Sequence, residues 1–218
     1  MSAVPTIGIL MLATRFPRPV GDIGNPASFD CPVLTETIAP ATPERVVRGD
    51  PSALLPLFTE AGHRLVRRGA TLVSTSCGFL TRFQDELSGA LPVPVLTSSL
   101  FAAARLDAPA IMTIDAAALT PVHLAAARVP AGTPVGGMDG TAFAHAILLD
   151  AVDLDVERAR AEHVERARAL VAAHPQTRNI VLECTNMGPY ADAIRAATGA
   201  RVHSIVDLLK TQLASQTG

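Results

Sequence analysis

Short apolar runs bounded by turn formers recur along this chain, with stretches of helical spacing between them. That rhythm predicts an α/β protein with parallel strands under helices. Residues 6–12 form a nearly continuous apolar run, as a central strand would. Residues 32–38 alternate apolar and polar, as a strand nearer an edge does. Further strands are predicted at 70–77, 93–97, 109–114, 133–138, 179–184 and 201–205. Helical spacing predicts helices at 51–68 with Gly69 as the stop, through 91 after the third strand, and at 100–106, 116–128 and 190–198, with a last helix from 206 onward. Residues 141–173 read as a helix broken near 150–155, with Val152, Val156, Ala159, Ala167, Leu170 and Val171 in one stripe and Glu162 pairing with Arg166 on the solvent side.

Two of these strands end alike. The run from Ala70 to Val73 turns polar at Ser74, Thr75 and Ser76 and stops at Cys77, ahead of Gly78 and Phe79. The run from Asn179 to Leu182 passes into Glu183, Cys184, Thr185 and Asn186. The repetition predicts two pseudo-symmetric lobes, residues 1–100 and 101–200, each a mostly parallel sheet flanked by helices, with 201–218 returning to the first lobe. Ligands of open α/β sheets sit beyond the carboxyl ends of the strands, so the active site is expected in the cleft between the lobes. Residues 13–32, rich in Gly and Pro, form a long connection leaving the first strand at that end. The loop is positioned to bring Arg15, Asp22 and Asn25 to a carboxylate-bearing ligand.

Composition narrows the classes. Hydrophobic residues make up 49% of the 218 and aromatics only 4%, so the core is built from Ala, Val, Leu and Ile. A net charge of -2 provides no footprint for nucleic acid. Residues 7–12 are too short to cross a membrane, and no basic stretch precedes an apolar leader, so the expectation is a cytoplasmic protein with no membrane partner. A homo-oligomer is compatible with the sequence. Cys31, Cys77 and Cys184 are odd in number and far apart, which argues against a disulfide framework and a structural zinc site. Cys31, without polar companions, reads as a small buried hydrophobe. No metal is assigned.

A thiol at a strand end that opens a helix lies in the field of the helix amino terminus, which lowers its pKa. Two such thiols across a cleft permit a two-base reaction: Cys77 or Cys184 removes a proton next to a carboxylate and the other returns one on the opposite face. Backbone N–H groups after each cysteine, with Ser76, Gly78, Phe79, Thr185 and Asn186, are placed to hold the carboxylate. No cofactor is required.

The segments Ser76-Cys77-Gly78 and Glu183-Cys184-Thr185-Asn186, with Gly8-Ile9-Leu10 ahead of the long loop, resemble the aspartate/glutamate/hydantoin racemase superfamily over nearly the whole chain. The resemblance implies two α/β lobes and a PLP-independent racemase or epimerase of a small carboxylate such as an amino acid, with Cys77 and Cys184 as its catalytic pair. Glutamate racemases follow the first cysteine with Asn-Thr, where this chain has Gly78 and Phe79, and carry an acidic residue after the first strand, where it has Ala13 and Thr14. Arylmalonate decarboxylases resemble it with one cysteine, and maleate isomerases with two. The alternatives are therefore a cis-trans isomerase of an unsaturated diacid, in which a cysteine adds to carbon, and a two-lobed carboxylate binder without turnover.

Overall fold

β1, Ile7–Leu12, is buried at every position because it lies inside a sheet that is covered on both faces. The computed structural model describes residues 4–216 of the chain. On one side β1 pairs in parallel with β2, Val33–Ile38, Ile7 opposite Val33. On the other it pairs with β3, Leu72–Thr75, Ile7 opposite Leu72, and β4, Val95–Leu96, follows. The order is β2-β1-β3-β4, and β2, half exposed, is the edge strand its alternation predicts. The second sheet repeats this order as β6-β5-β7-β8, all parallel, from β5, Pro109–Thr113, β6, Val135–Gly137, β7, Asn179–Leu182, and β8, Arg201–His203. The protein has the expected two-lobed α/β architecture.

Helices connect the strands as parallel pairing requires. α1, Pro43–Val47, follows β2 and was not legible in the hydrophobic pattern; Thr42 caps it and Pro43 fills its first turn. α2, Leu55–Arg67, buries Phe58, Ala61 and Leu65, and Gly69 at φ +102° ends it. Beyond β3 the predicted helix is a 3-10 turn over Gly78–Phe83 running into α3, Gln84–Ala90. α4, Leu100–Ala103, follows β4 and packs on β5 and β7, with Ser99 donating to the Leu182 carbonyl at 2.6 Å. α5 is only Pro121–Ala126, since the ring of Pro121 excludes a helical residue before it and Thr120 caps the helix there.

The long helical pattern divides where expected, into α6, Ala142–Leu148, and α7, Val156–Ala173, with Asp150 at φ +53° and Asp155 as the cap of α7. Val152 lies in the break and is exposed, so it leaves the stripe. Glu162 does not pair with Arg166. Its carboxylate accepts from the N–H groups of Ala142 and Phe143, capping α6, and from Arg158, while Arg166 donates to the Asp139 carbonyl. α8, Ala191–Thr198, and α9, Ile205–Gln216, complete the chain.

α9 lays Ile205, Val206, Leu209 and Leu213 on Ile7, Ile9, Met11 and Leu72 of the first sheet. The helix after β4 packs on the second sheet and the helix after β8 on the first, so each sheet is covered partly by the other's chain. Leu209, fully buried in this layer, is expected to cost about 2–5 kcal/mol when cut to Ala. Urea denaturation should show this as one cooperative transition at lower midpoint; a first sheet that stays folded at the wild-type midpoint would show that α9 does not hold it.

Candidate active site

The equivalent strands β3 and β7 end side by side. The Thr185 hydroxyl donates to the Ser76 carbonyl at 2.7 Å, and the Ser76 hydroxyl accepts from Leu12 N–H at 2.8 Å. Gly188 is against the Gly21 carbonyl, too close for any side chain, which docks the 13–32 loop on the end of β7. Cys77 and Cys184 therefore line one cavity, with Leu12, Thr14, Phe16, Arg18, Ser76, Gly78, Phe79, Glu183, Thr185 and Asn186. Pro43 and Val47 from α1, with Ile147 and Leu148 from the topologically equivalent α6, roof it. The open space is about 20 Å³, room for a water-sized guest. A ligand of several heavy atoms enters only when these side chains move.

Both thiols are buried, and burial decides their acidity. It pushes Cys77 far above its ordinary value, and the Glu183 carboxyl adds to the rise. The N–H groups of Phe79 and Leu80, opening the 3-10 turn, and the Arg18 guanidinium pull the other way without overcoming it. Cys184 is raised by burial, then by Glu183, with Cys77 and Asp22 adding, and only its hydrogen bond to the Asn186 backbone opposes them. The lowered pKa expected from the helix termini is thus corrected: the donors are present, but desolvation outweighs them.

Asp22 and Asn186 act together. Asp22, 1% exposed, accepts from Arg18 Nη1 at 2.8 Å and Gly24 N–H at 2.7 Å through Oδ1, and from Asn186 Nδ2 at 2.7 Å through Oδ2. With its amide nitrogen committed, Asn186 turns Oδ1 to Cys184, whose thiol donates to it at 3.5 Å. Asp22 is thus one residue removed from the cavity. Arg15 and Asn25 are not brought to it either. Arg15, its side chain 70% exposed, pairs with Asp150 at 3.1 Å, and this bridge, with that of Arg48 to Asp115, links the lobes. Asn25 caps the 3-10 turn at Pro26–Ser28 and donates to the Arg18 carbonyl.

The cation in the cavity wall is Arg18, its side chain 13% exposed, stacked 4.6 Å over Phe16 and donating to Thr14. Gly24 makes room for it, since a methyl there would overlap the Arg18 stem. The other group missed from sequence is Glu183, fully buried between the two thiols. Its signal was an ionisable residue ending an otherwise apolar strand. Thr113 donates to Oε2 at 2.7 Å, Oε1 has no partner, and burial pushes the carboxyl up to about 8. Among the described residues no three His, Cys, Asp or Glu side chains converge as metal ligands would, and no helix is long and apolar enough to cross a membrane.

Glu183 binds its proton more tightly folded than unfolded, since burial lifts it from an ordinary 4.5 to about 8. The folded state therefore loses stability as pH rises from about 4.5 to about 8, and the penalty is constant above that. Glu183→Gln should escape the penalty, so the variant's stability relative to wild type should grow by on the order of a few kcal/mol across this window. Denaturation at pH 5 and pH 9 checks it; the same gap at both would place an ionised carboxylate there at both.

No protein-family model matches the chain. It is 29% identical over 218 residues to a dimethylsulfoniopropionate lyase of Durusdinium sp. clade D, covering 92% of this chain and 71% of that protein. The structure is similar to that of unliganded arylmalonate decarboxylase, with a TM-score of 0.64 at 19% identity over 98% of this chain and 93% of the other. It is similar also to Picrophilus torridus aspartate racemase, with a TM-score of 0.59 at 11% identity over 98% and 94%. The lyase relative supports an enzyme. The fold is one that arylmalonate decarboxylase and aspartate racemase share.

Proposed function

We propose that this protein is a lyase that removes a proton next to the carboxylate of a small acid and expels a leaving group from the neighbouring carbon, with dimethylsulfoniopropionate as the first substrate to try. The observation that carries the reading is one small cavity holding two strand-end thiols, a guanidinium and apolar walls. Arg18 keeps N–H groups beyond those given to Asp22 and Thr14, and these suit a carboxylate. A cysteine, ionised where the substrate's sulfonium charge offsets the burial that holds its proton, takes the α proton, the carbon–sulfur bond breaks with its electrons leaving on sulfur, and dimethyl sulfide and acrylate result. The thiol then returns its proton to solvent. Phe16, Phe79, Ile147 and Leu148 suit the apolar departing group. The lyase relative, similar over most of the chain, favours this outcome.

The second reading is racemisation of a small carboxylate, favoured by the matched positions of Cys77 and Cys184 at the ends of equivalent strands. Elimination needs one base and racemisation two. With dimethylsulfoniopropionate, release of dimethyl sulfide should fall about 100-fold or more when the thiol serving as base is changed, in Cys77→Ser or Cys184→Ser. Full release by both variants would refute a thiol base. If no dimethyl sulfide forms, but single enantiomers of amino acids lose optical rotation and both variants lose that activity, the racemase reading takes its place. Arg18→Gln should raise KM about 10-fold or more, through loss of a charged hydrogen bond; an unchanged KM would remove Arg18 from substrate binding.

A further inference from the structure

Glu183 has no part in the reaction as proposed so far, yet it is the least satisfied polar group in the cavity wall. Its side chain is fully buried, Thr113 occupies Oε2, and Oε1 has no hydrogen-bond partner. Oε1 is held against Gly78, where even a methyl group would overlap it and the Glu183 carbonyl oxygen. The carboxyl therefore reaches from the residue beside Cys184 to the residue beside Cys77, and both neighbours line the same cavity. A side chain needed only for packing would be apolar here, because a buried carboxyl with an unused oxygen costs stability.

We propose that Glu183 is a further catalytic residue, whose Oε1 hydroxyl donates a hydrogen bond to the substrate carboxylate as negative charge builds there on loss of the α proton. The inference rests on the carboxylate reading of this cavity. A fixed, buried donor aimed where charge develops stabilises the transition state more than the ground state. The charged and titratable groups around it are Cys77 and Cys184, the Arg18–Asp22 pair from the loop, and the Arg48–Asp115 pair just past the end of β5. Each ion pair is internally neutral, and the one group that favours a negative charge on Glu183, the Thr113 hydroxyl, is outweighed by burial. Its proton is retained up to about pH 8, as burial dictates. Above that pH the donor is lost and a like charge faces the ligand.

The test uses the thiols as reporters and needs no turnover, so a protein inactive on dimethylsulfoniopropionate still decides it. Iodoacetate carries a carboxylate and iodoacetamide does not; the ratio of their alkylation rates at Cys77 and Cys184 cancels the thiols' own ionisation. In wild type the ratio should fall about 10-fold between pH 7 and pH 9.5, one logarithmic unit. In Glu183→Gln, whose amide still donates but does not titrate, it should stay flat. A flat ratio in wild type, or an equal fall in both proteins, overturns the proposal. Infrared spectroscopy provides a second measurement. A neutral-carboxyl band present at pH 7, lost with a midpoint near 8, missing from Glu183→Gln and shifted by propionate supports the proposal; its absence from wild type at pH 7, or indifference to propionate, overturns it.

Discussion

The juxtaposition of the ends of β3 and β7, deep between the two sheets, governs the character of this cavity. Thr185 spends its hydroxyl on the Ser76 carbonyl, Gly78 admits the Glu183 carboxyl, and Gly188 admits the Gly21 carbonyl. The two glycines leave free the space a side chain would otherwise take, so the two sulfurs and the carboxyl share one small space. Burial then sets the electrostatics. Every charged form in the cavity is disfavoured until something pairs with it, and the acids there, both thiols and Glu183, hold their protons more tightly than in water. A ligand that brings a carboxylate to Arg18 and displaces the roof side chains alters that balance as no residue of the free protein does.

Asp22 shows how a buried ion pair can act at a distance from the reacting atoms. A lone carboxylate so deep would be costly, but Arg18, Gly24 N–H and the Asn186 amide satisfy both oxygens. In return Asp22 fixes two orientations: the guanidinium plane of Arg18 at the cavity wall, and the face of Asn186 that meets Cys184. One acidic side chain thereby couples the Arg18 guanidinium to one of the thiols.

The sheets were legible because burial on both faces leaves near-continuous apolar runs, as in β1 and β7, and the cysteines because β3 and β7 each give way to polar residues around a cysteine. Ser76, Gly78, Phe79, Thr185 and Asn186 follow from chain adjacency to those ends and do line the cavity. The loop was a different problem. Its length and exit point suggested an arginine, but whether Arg15 or Arg18 turns inward depends on Asp22, Gly24 and Phe16 folding back on Arg18, while Arg15 meets Asp150 from a distant helix end. Nothing local encodes that choice. The thiols' acidity was misjudged for a related reason: a helix amino terminus is visible in sequence, whereas the depth at which it is buried is a property of both lobes and their roof.

On the proposed chemistry, elimination and racemisation make the same demands of this cavity up to one step. Both begin by taking a proton from the carbon beside a carboxylate, and both need that carboxylate held while charge accumulates on it. They part afterwards. If the next carbon bears a good leaving group, expulsion competes with proton return, and a sulfonium that departs as a neutral sulfide leaves without needing a proton. The opposite thiol, which racemisation requires as a donor, then becomes unnecessary. On the proposed chemistry it is the leaving group, more than the number of cysteines, that sets the outcome, and an apolar roof from α1 and α6 suits an uncharged product better than an amino acid's ammonium.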